Sequence, residues 1–394
     1  MKSNQPYLYL LLGFISSITV SGIVELGAFG RYCGIIMRLW SLYHLYLIIK
    51  FGCIKGPMRY FTLFVLLLIA YSVIPAIQGR TYGSDLFDGF ATMTAFNYIN
   101  LSWMYACPVF SFYWFTRKGL IDKDFIRFLT IAGIVYCCFL FIHISTSYAQ
   151  KYGAGVAHVN NTAYVFLHLF PLLFYFKGKS RLQFIILFIL IVAIFMGAKR
   201  GAILIALICL TVFFKGSIKI ATKNRSTLIF FSIVTLIIVA FIFGYMYTNN
   251  AYFNERITSV FEGDSSQRDV LYQALWNSYN DVFSLNEKLF GRGINAPLVL
   301  TGMYAHNDWL EYLMSFGVFG CGIYVIYFTS LFRFYWKYRH VNIEQTKSFL
   351  LTIIILFMTT LFSMSYTGMT IFIGFSLAYS VCYLEQYSRT KIKK

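Results

Sequence analysis

Apolar runs long enough to cross a membrane recur along the whole of this chain, and they settle its class before any single residue is weighed. A helix needs about 20 mostly apolar residues to span a bilayer. Twelve stretches read this way: 7–25, 32–49, 60–78, 97–116, 125–145, 161–176, 182–197, 201–214, 227–247, 312–332, 349–364 and 369–385. The eighth is short, and Pro108 interrupts the fourth. Of 394 residues, 59% are hydrophobic and 12% charged, against about 45–50% and about 25% in soluble domains. A water-soluble enzyme is excluded, and little chain remains for a second domain. Lipid offers the backbone no partners, so such runs predict helices. The expected fold is an all-α integral membrane protein, 1–394 forming one membrane domain of about twelve helices. The first run, from Tyr7 to Leu26, is long and lacks a small-x-small cleavage site, so it reads as a span and not a secretory peptide.

Loop charge sets the expected orientation. With the N-terminus inside, the inner segments hold 23 of the 33 Lys and Arg residues and the outer segments nine. Every inner loop is enriched, which predicts an even number of spans with both ends cytoplasmic. The net charge of +18 therefore belongs to membrane orientation and not to nucleic acid, because the cations are spread over short loops. The eight cysteines contain no CxxC pair and mostly lie in apolar runs, so neither a disulfide framework nor a zinc site is expected. Cations on the outer side run against the bias. Lys199, Arg200, Arg268 and Arg292 therefore stand out.

One outer connection dwarfs the rest, at 248–305. Loops of that length usually carry function. Ser265 and Ser266 can cap a helix with Asp269 in its first turn, and Val270, Leu271, Ala274, Leu275 and Tyr279 recur at helical spacing. The pattern predicts an amphipathic helix of about 15 residues at the membrane surface. Arg268 shares its apolar stripe and opposes the helix dipole, so it is either a snorkelling or salt-bridged side chain or an anion clamp. Gly291-Arg292-Gly293 reads as a tight turn more readily than as a phosphate nest. Asp308 and Glu311 have capping-box spacing, which sets His306 just before a helix leading into the tenth span. The positive end of a helix disfavours imidazolium, and a neutral imidazole is the form a general base needs. The alternative is a histidine that bonds a loop carbonyl.

Lys199-Arg200-Gly201 occupies the short turn between spans seven and eight. Two cations there either hold phospholipid headgroups or line a site. Arg38 lies mid-span and reads as snorkelling or paired. His44, His143 and His168 read as packed histidines. Asn160-Asn161 opens the sixth span and reads first as a cap.

The order of these residues resembles the bacterial O-antigen ligase and O-antigen polymerase superfamily: Lys199-Arg200-Gly201, then Ser266-Gln267-Arg268, then Leu289-Phe290-Gly291-Arg292-Gly293, then His306-Asn307-Asp308-Trp309-Leu310-Glu311 with Gly317 and Gly320. The resemblance covers roughly 155–325 by motif, and His306 to Gly320 is its most specific part. It implies a GT-C-type, metal-independent glycosyltransferase in the inner membrane, with a large helical periplasmic loop and no cofactor. Such enzymes transfer a glycan from an undecaprenyl-pyrophosphate carrier to an acceptor sugar hydroxyl. Family roles map onto Arg200, Arg268 and His306 as catalytic residues. Lys199, Arg292, Asn307, Asn161 and Trp309 are the candidate pyrophosphate or glycan contacts. The implied partners are the lipid-linked glycan, the acceptor glycan, membrane lipids and a chain-length regulator.

The chemistry suits these residue types independently of any family. Diphosphate departure gathers negative charge that fixed guanidinium groups stabilise, and a hydroxyl nucleophile needs a positioned base. The pattern leans to a polymerase, which joins one lipid-linked repeat to another. A ligase, which delivers to lipid A core, stays open. A transporter or flippase is the rival of another class. Against it, the second half does not repeat the first.

Overall fold

The computed structural model describes residues 4–77, 95–152, 160–176, 180–220, 225–261, 268–363, 365 and 369–392. Every regular element among them is helical. The chain opens with α1 (Gln5–Val20), α2 (Gly27–Lys50), α3 (Gly56–Ile77), α4 (Ala95–Arg117) and α5 (Lys123–Tyr152). The short α6 (Thr162–Leu167) runs on into a 3-10 turn at Phe170–Phe176. Next come α7 (Ser180–Met196), α8 (Arg200–Ile220) and α9 (Arg225–Asn249). The long connection folds as α10 (Ala251–Phe261), α11 (Arg268–Asn277), a π-helical turn at Ser278–Val282, α12 (Leu285–Phe290) and α13 (Ala296–Thr301). The chain finishes with α14 (Asp308–Tyr338), α15 (Ile343–Phe362) and α16 (Ile371–Ile392).

Seven of these helices are long and apolar enough to cross a membrane, and Gln5–Val20, Thr162–Phe176 and Arg181–Met196 are shorter apolar helices. Large apolar side chains point outward along them, among them Phe29, Ile237 and Phe241. Water would penalise such a surface and hydrocarbon does not. The protein is thus an all-α membrane protein. All eight cysteines are free.

The interior is built mainly from rings and hydroxyls. Tyr312 stacks on Tyr324 at 4.2 Å, and Phe64 stacks on Tyr327 at 5.5 Å, joining α3 to α14. Offset aromatic pairs of this kind add to the gain from burial. Buried polar groups meet one another: Tyr9 to Ser41 at 2.8 Å, Ser41 to Ser111 at 2.9 Å and Ser111 to His44 at 3.0 Å link α1, α2 and α4. His168 bonds Thr370 at 2.9 Å. Both histidines are packing groups, as the sequence suggests.

The entry to α14 differs from the expected capping box. Asn307 is the cap, its Oδ1 accepting from the N–H groups of Trp309 and Leu310 at 3.0 and 3.2 Å. Asp308 is fully buried instead; it accepts from the Tyr324 hydroxyl at 2.7 Å and from the Ser365 N–H at 2.9 Å. Glu311 reaches back to the Ala305 N–H at 2.8 Å. Helix starts need their N–H groups satisfied, and the short Asn side chain does so locally, which releases both acids for longer-range bonds.

Further along, α14 breaks at Gly317, whose φ is 64°. Carbonyls of Met314 and Ser315 lose their helical partners there, and the N–H groups of Arg292 and Gly293 supply replacements at 3.0 and 2.9 Å. The approach is close on both sides. A Cβ at Gly291 would land on the Ser315 carbonyl, and one at Gly317 on that of Leu289. Both glycines also have positive φ, which other residues adopt only at a cost.

Candidate functional site

Four connections meet at one end of the bundle. The turn after α7 supplies Lys199, and α8 begins immediately with Arg200. The small residues around them are needed for packing. A Cβ at Gly201 would fall 2.6 Å from Phe362 and from the Tyr164 hydroxyl, so only glycine lets α8 lie against the end of α15 there. Asn160 ties the same turn down. It is buried, its N–H donates to the Gly197 carbonyl at 3.0 Å, and its amide bonds Phe141 and Ser145 at 3.1 Å. Its Oδ1 takes the N–H and hydroxyl of Thr162, at 2.9 and 2.6 Å. Asn161, the residue singled out from sequence, is exposed at the start of α6.

Arg200 is half-buried and extends to α10. Its Nη1 donates to the Arg256 carbonyl at 3.3 Å and to the Ser259 hydroxyl at 3.1 Å. Arg256 carries no motif in the sequence, and the fold puts its charge beside Lys199. Its Nε is buried with no hydrogen-bond partner among the described residues. A cation on the side where cations are scarce was the available signal.

Arg268 is the first residue of α11, half-buried above an apolar face formed by Leu271 and Leu275. Of the stripe that the spacing predicts, Leu271 and Leu275 are buried and Tyr279 half-buried, whereas Val270 and Ala274 are exposed. The helix is shorter than expected, at 10 residues, and gives way to the π turn. Its capping serines lie outside the described residues. Tyr272, one turn on, sits beside Arg268 and Asn307: burial raises its pKa, and the Arg268 charge and hydrogen bonds from both residues act against the rise.

His306 has φ of 52°, and Ala198, just before Lys199, has φ of 49°. Left-handed backbone at residues other than glycine is uncommon and gathers at functional sites. The imidazole is accessible, yet protein surrounds it on several sides. That partial burial, then the charges of Arg268 and Lys199, hold its pKa below 6.5. Lys199 is lowered to about 8, first by burial and then by Arg256 and Arg268. Lys199, Arg268 and His306 thus feel one another, with Arg256 and Arg200 alongside. Such a cluster of like charges favours an anion between its members and keeps the imidazole neutral.

Two candidates from sequence lie apart in their bonding. Arg292 pairs with Glu287 at 2.8 Å and covers the Phe283 ring at 4.4 Å. The N–H groups around it are all used: Gly291 bonds Glu287, and Arg292 and Gly293 bond the broken turn of α14. The Gly-Arg-Gly segment is therefore a dock for α14 and offers no phosphate nest. Trp309 donates its indole N–H to Thr360 at 3.0 Å and lies against Tyr324 and Phe357. Asn307 stays next to His306 and bears on Tyr272. Among the described residues, no group of three or more His, Cys, Asp or Glu could hold a metal ion.

No curated protein matches the chain. Residues 185–325 match the family model for O-antigen ligase, and this segment, which runs from α7 into α14, contains the four cations of the cluster and His306. The segment that bears the cluster is thus similar to the O-antigen ligase family.

Proposed function

We propose that this protein is a polysaccharide polymerase of the inner membrane. It transfers a glycan from an undecaprenyl-pyrophosphate carrier to a sugar hydroxyl of another lipid-linked repeat, at the periplasmic face. The observation that carries the reading is the meeting of Lys199, Arg268 and His306, with Arg200 and Arg256 beside them.

The chemistry follows from the charges. As the bond between the sugar's anomeric carbon and the diphosphate breaks, both bonding electrons leave with the diphosphate. Guanidinium groups already in place bind that departing charge more tightly than they bind the intact ester. Arginine suits the task because its fork stays charged and bonds two phosphate oxygens at once. The acceptor hydroxyl attacks the anomeric carbon and gives its proton to the imidazole of His306, which partial burial and then the neighbouring cations bias toward the neutral form beforehand. Negative charge on the diphosphate then stabilises the imidazolium that results. A carrier whose chain lies in lipid and whose glycan projects into water needs a site at the membrane rim, where surface loop and helix ends meet.

A second reading is favoured by the description of the matching family model: a ligase that passes the glycan to lipid A core. A deletion strain separates the two. Loss of a polymerase leaves core capped by a single repeat, whereas loss of a ligase leaves bare core and carrier-linked polymer. A flippase defect would trap single repeats on the cytoplasmic leaflet and overturn both readings. Single Ala variants of Arg200, Arg268 and His306, expressed to equal levels, test the site through polysaccharide length on a gel. Wild-type chains from all three would end the assignment.

A further inference from the structure

At the end of α14 remote from His306, a cavity of about 500 Å3 opens between α3, α14 and α16. It lies beyond the break at Gly317, with Arg333 about 24 Å further along the second part of α14 at 1.5 Å of rise per residue. Lys55, Arg333 and Lys337 line it, together with Tyr60, Phe334 and Glu385. We propose that this cavity binds the phosphate of an anionic phospholipid headgroup in the leaflet opposite the His306 cluster.

Its lining is split in the way such a ligand needs. Ile326, Ser330, Arg333 and Lys337 recur on α14 at spacings of three and four, so they form one face of the helix. Ile326 lies nearer the middle of that helix and the two cations nearer its end, giving an apolar approach with a charged mouth. Lys55 comes from a different element, the segment just before α3. Among the described residues, neither Lys55 nor Arg333 forms an ion pair or hydrogen bond. Lys337 lies over the Tyr338 ring at 5.2 Å, which leaves its ammonium free to accept an anion as well.

The base of the cavity is fixed. Glu385 is buried, and the Tyr113 hydroxyl donates to its Oε2 at 2.8 Å. Phe334 and Glu385 close around Gly56, where a Cβ would sit 3.4 Å from Glu385 Oε1. One acid against three cations leaves the pocket net positive. A headgroup phosphate at the mouth is nearer the cations than the buried carboxylate. Basic pockets between membrane helices bind anionic headgroups for this reason. The site draws on none of the residues of the proposed transfer reaction, so it stands or falls independently of that reaction.

The test uses the full chain, purified in neutral detergent, with phosphatidylglycerol as probe, phosphatidylcholine as uncharged control and inorganic phosphate as the soluble source of the same chemistry. Bound lipid is counted by native mass spectrometry, and thermal stability is followed in parallel. Wild-type protein is expected to retain one phosphatidylglycerol above the background set by phosphatidylcholine and to melt at a higher temperature with it. R333Q/K337Q is expected to bind it at least about tenfold more weakly. R59Q/R339Q removes two exposed cations outside the cavity and is expected to bind as wild type does. K55Q, on a separate element, provides a milder variant in case the double change impairs folding. Its expected loss is about fivefold. Equal binding by wild type, R333Q/K337Q and K55Q overturns the site. Equal losses in the cavity and control variants overturn it in favour of diffuse surface attraction. Protection by inorganic phosphate as strong as that by the lipid overturns the assignment to a headgroup.

Discussion

The carboxylate of Asp308 lies 2.9 Å from the backbone N–H of Ser365, which ties the first residue of α14 to the segment after α15. The second oxygen takes the Tyr324 hydroxyl at 2.7 Å. Two donors, the Ser365 N–H and the Tyr324 hydroxyl, thus serve a fully buried acid two residues from His306. Replacing it strands those donors in the interior. Asp308→Ala is expected to destabilise the protein by about 2–4 kcal/mol, and Asp308→Asn by less because one acceptor remains. Unfolding followed in detergent checks the order.

On the proposed reaction, the pH dependence of transfer follows from two groups. His306 must be neutral to accept a proton, and its pKa is held below 6.5, so activity should persist on acidification past the ordinary histidine range and then fall. Lys199 must be charged to hold the diphosphate, and it loses its proton near pH 8, so activity should fall above that value. Removing Arg268 takes away a cation that lowers both groups. In Arg268→Lys the charge survives and both limbs should stay. In Arg268→Gln both should move to higher pH, on top of a lower maximum. Initial rates of polymer extension in proteoliposomes across the pH range provide the check. Limbs that stay in place in Arg268→Gln would argue that the charge does not act on His306 and Lys199.

Arg200 and Arg256 call for a graded series. Arg200→Ala removes a fixed donor and is expected to cost about 100- to 1,000-fold in rate. Arg200→Lys keeps the charge without the fork and should recover only part of that. Arg256→Ala leaves its carbonyl in place, so Arg200 keeps that bond, and a rate loss would report the guanidinium itself. Ser259→Ala removes one hydrogen bond to Arg200 and is expected to cost about three- to tenfold. Rates for the four variants, normalised to protein in the membrane, distinguish cations that act from cations that only pack.

Gly291 lies against the Ser315 carbonyl and Gly317 against that of Leu289, which leaves no space for a side chain on either glycine. Gly291→Ala and Gly317→Ala should each cost about 2–4 kcal/mol, through positive φ and through the clash. Both should also expose the loop to protease. Gly322→Ala, where nothing lies within 4 Å, is the matched control and should be neutral.

Much of the fold was legible because lipid leaves so few options. An apolar run such as that around Leu187 to Ile194 must be helical where no water can serve its backbone. The site was partly legible for a related reason: Lys199, Arg200 and Arg268 stand out as cations in segments that the loop-charge bias predicts to be outer. What the sequence hid depends on contacts across long separations. Asp308 and Glu311 have the spacing of a cap, yet Ser365 and Ala305 claim them, and Asn307 takes the local role. Arg292 looked like an anion ligand until Glu287 and the broken turn of α14 accounted for its side chain and its N–H. Arg256 carried the same charge signal as its neighbours but no local pattern to separate it from them.

The interruption at Gly317 makes the first turns of α14 a short lever, clamped by Asp308 at one end and by the Gly-Arg-Gly turn at the other. An imidazole mounted just before such a lever can be re-aimed from a distance. Altering the elbow would tilt His306 against Arg268 and Lys199 while every charged group stays in the chain, so the spacing within the cluster is adjustable by shape alone.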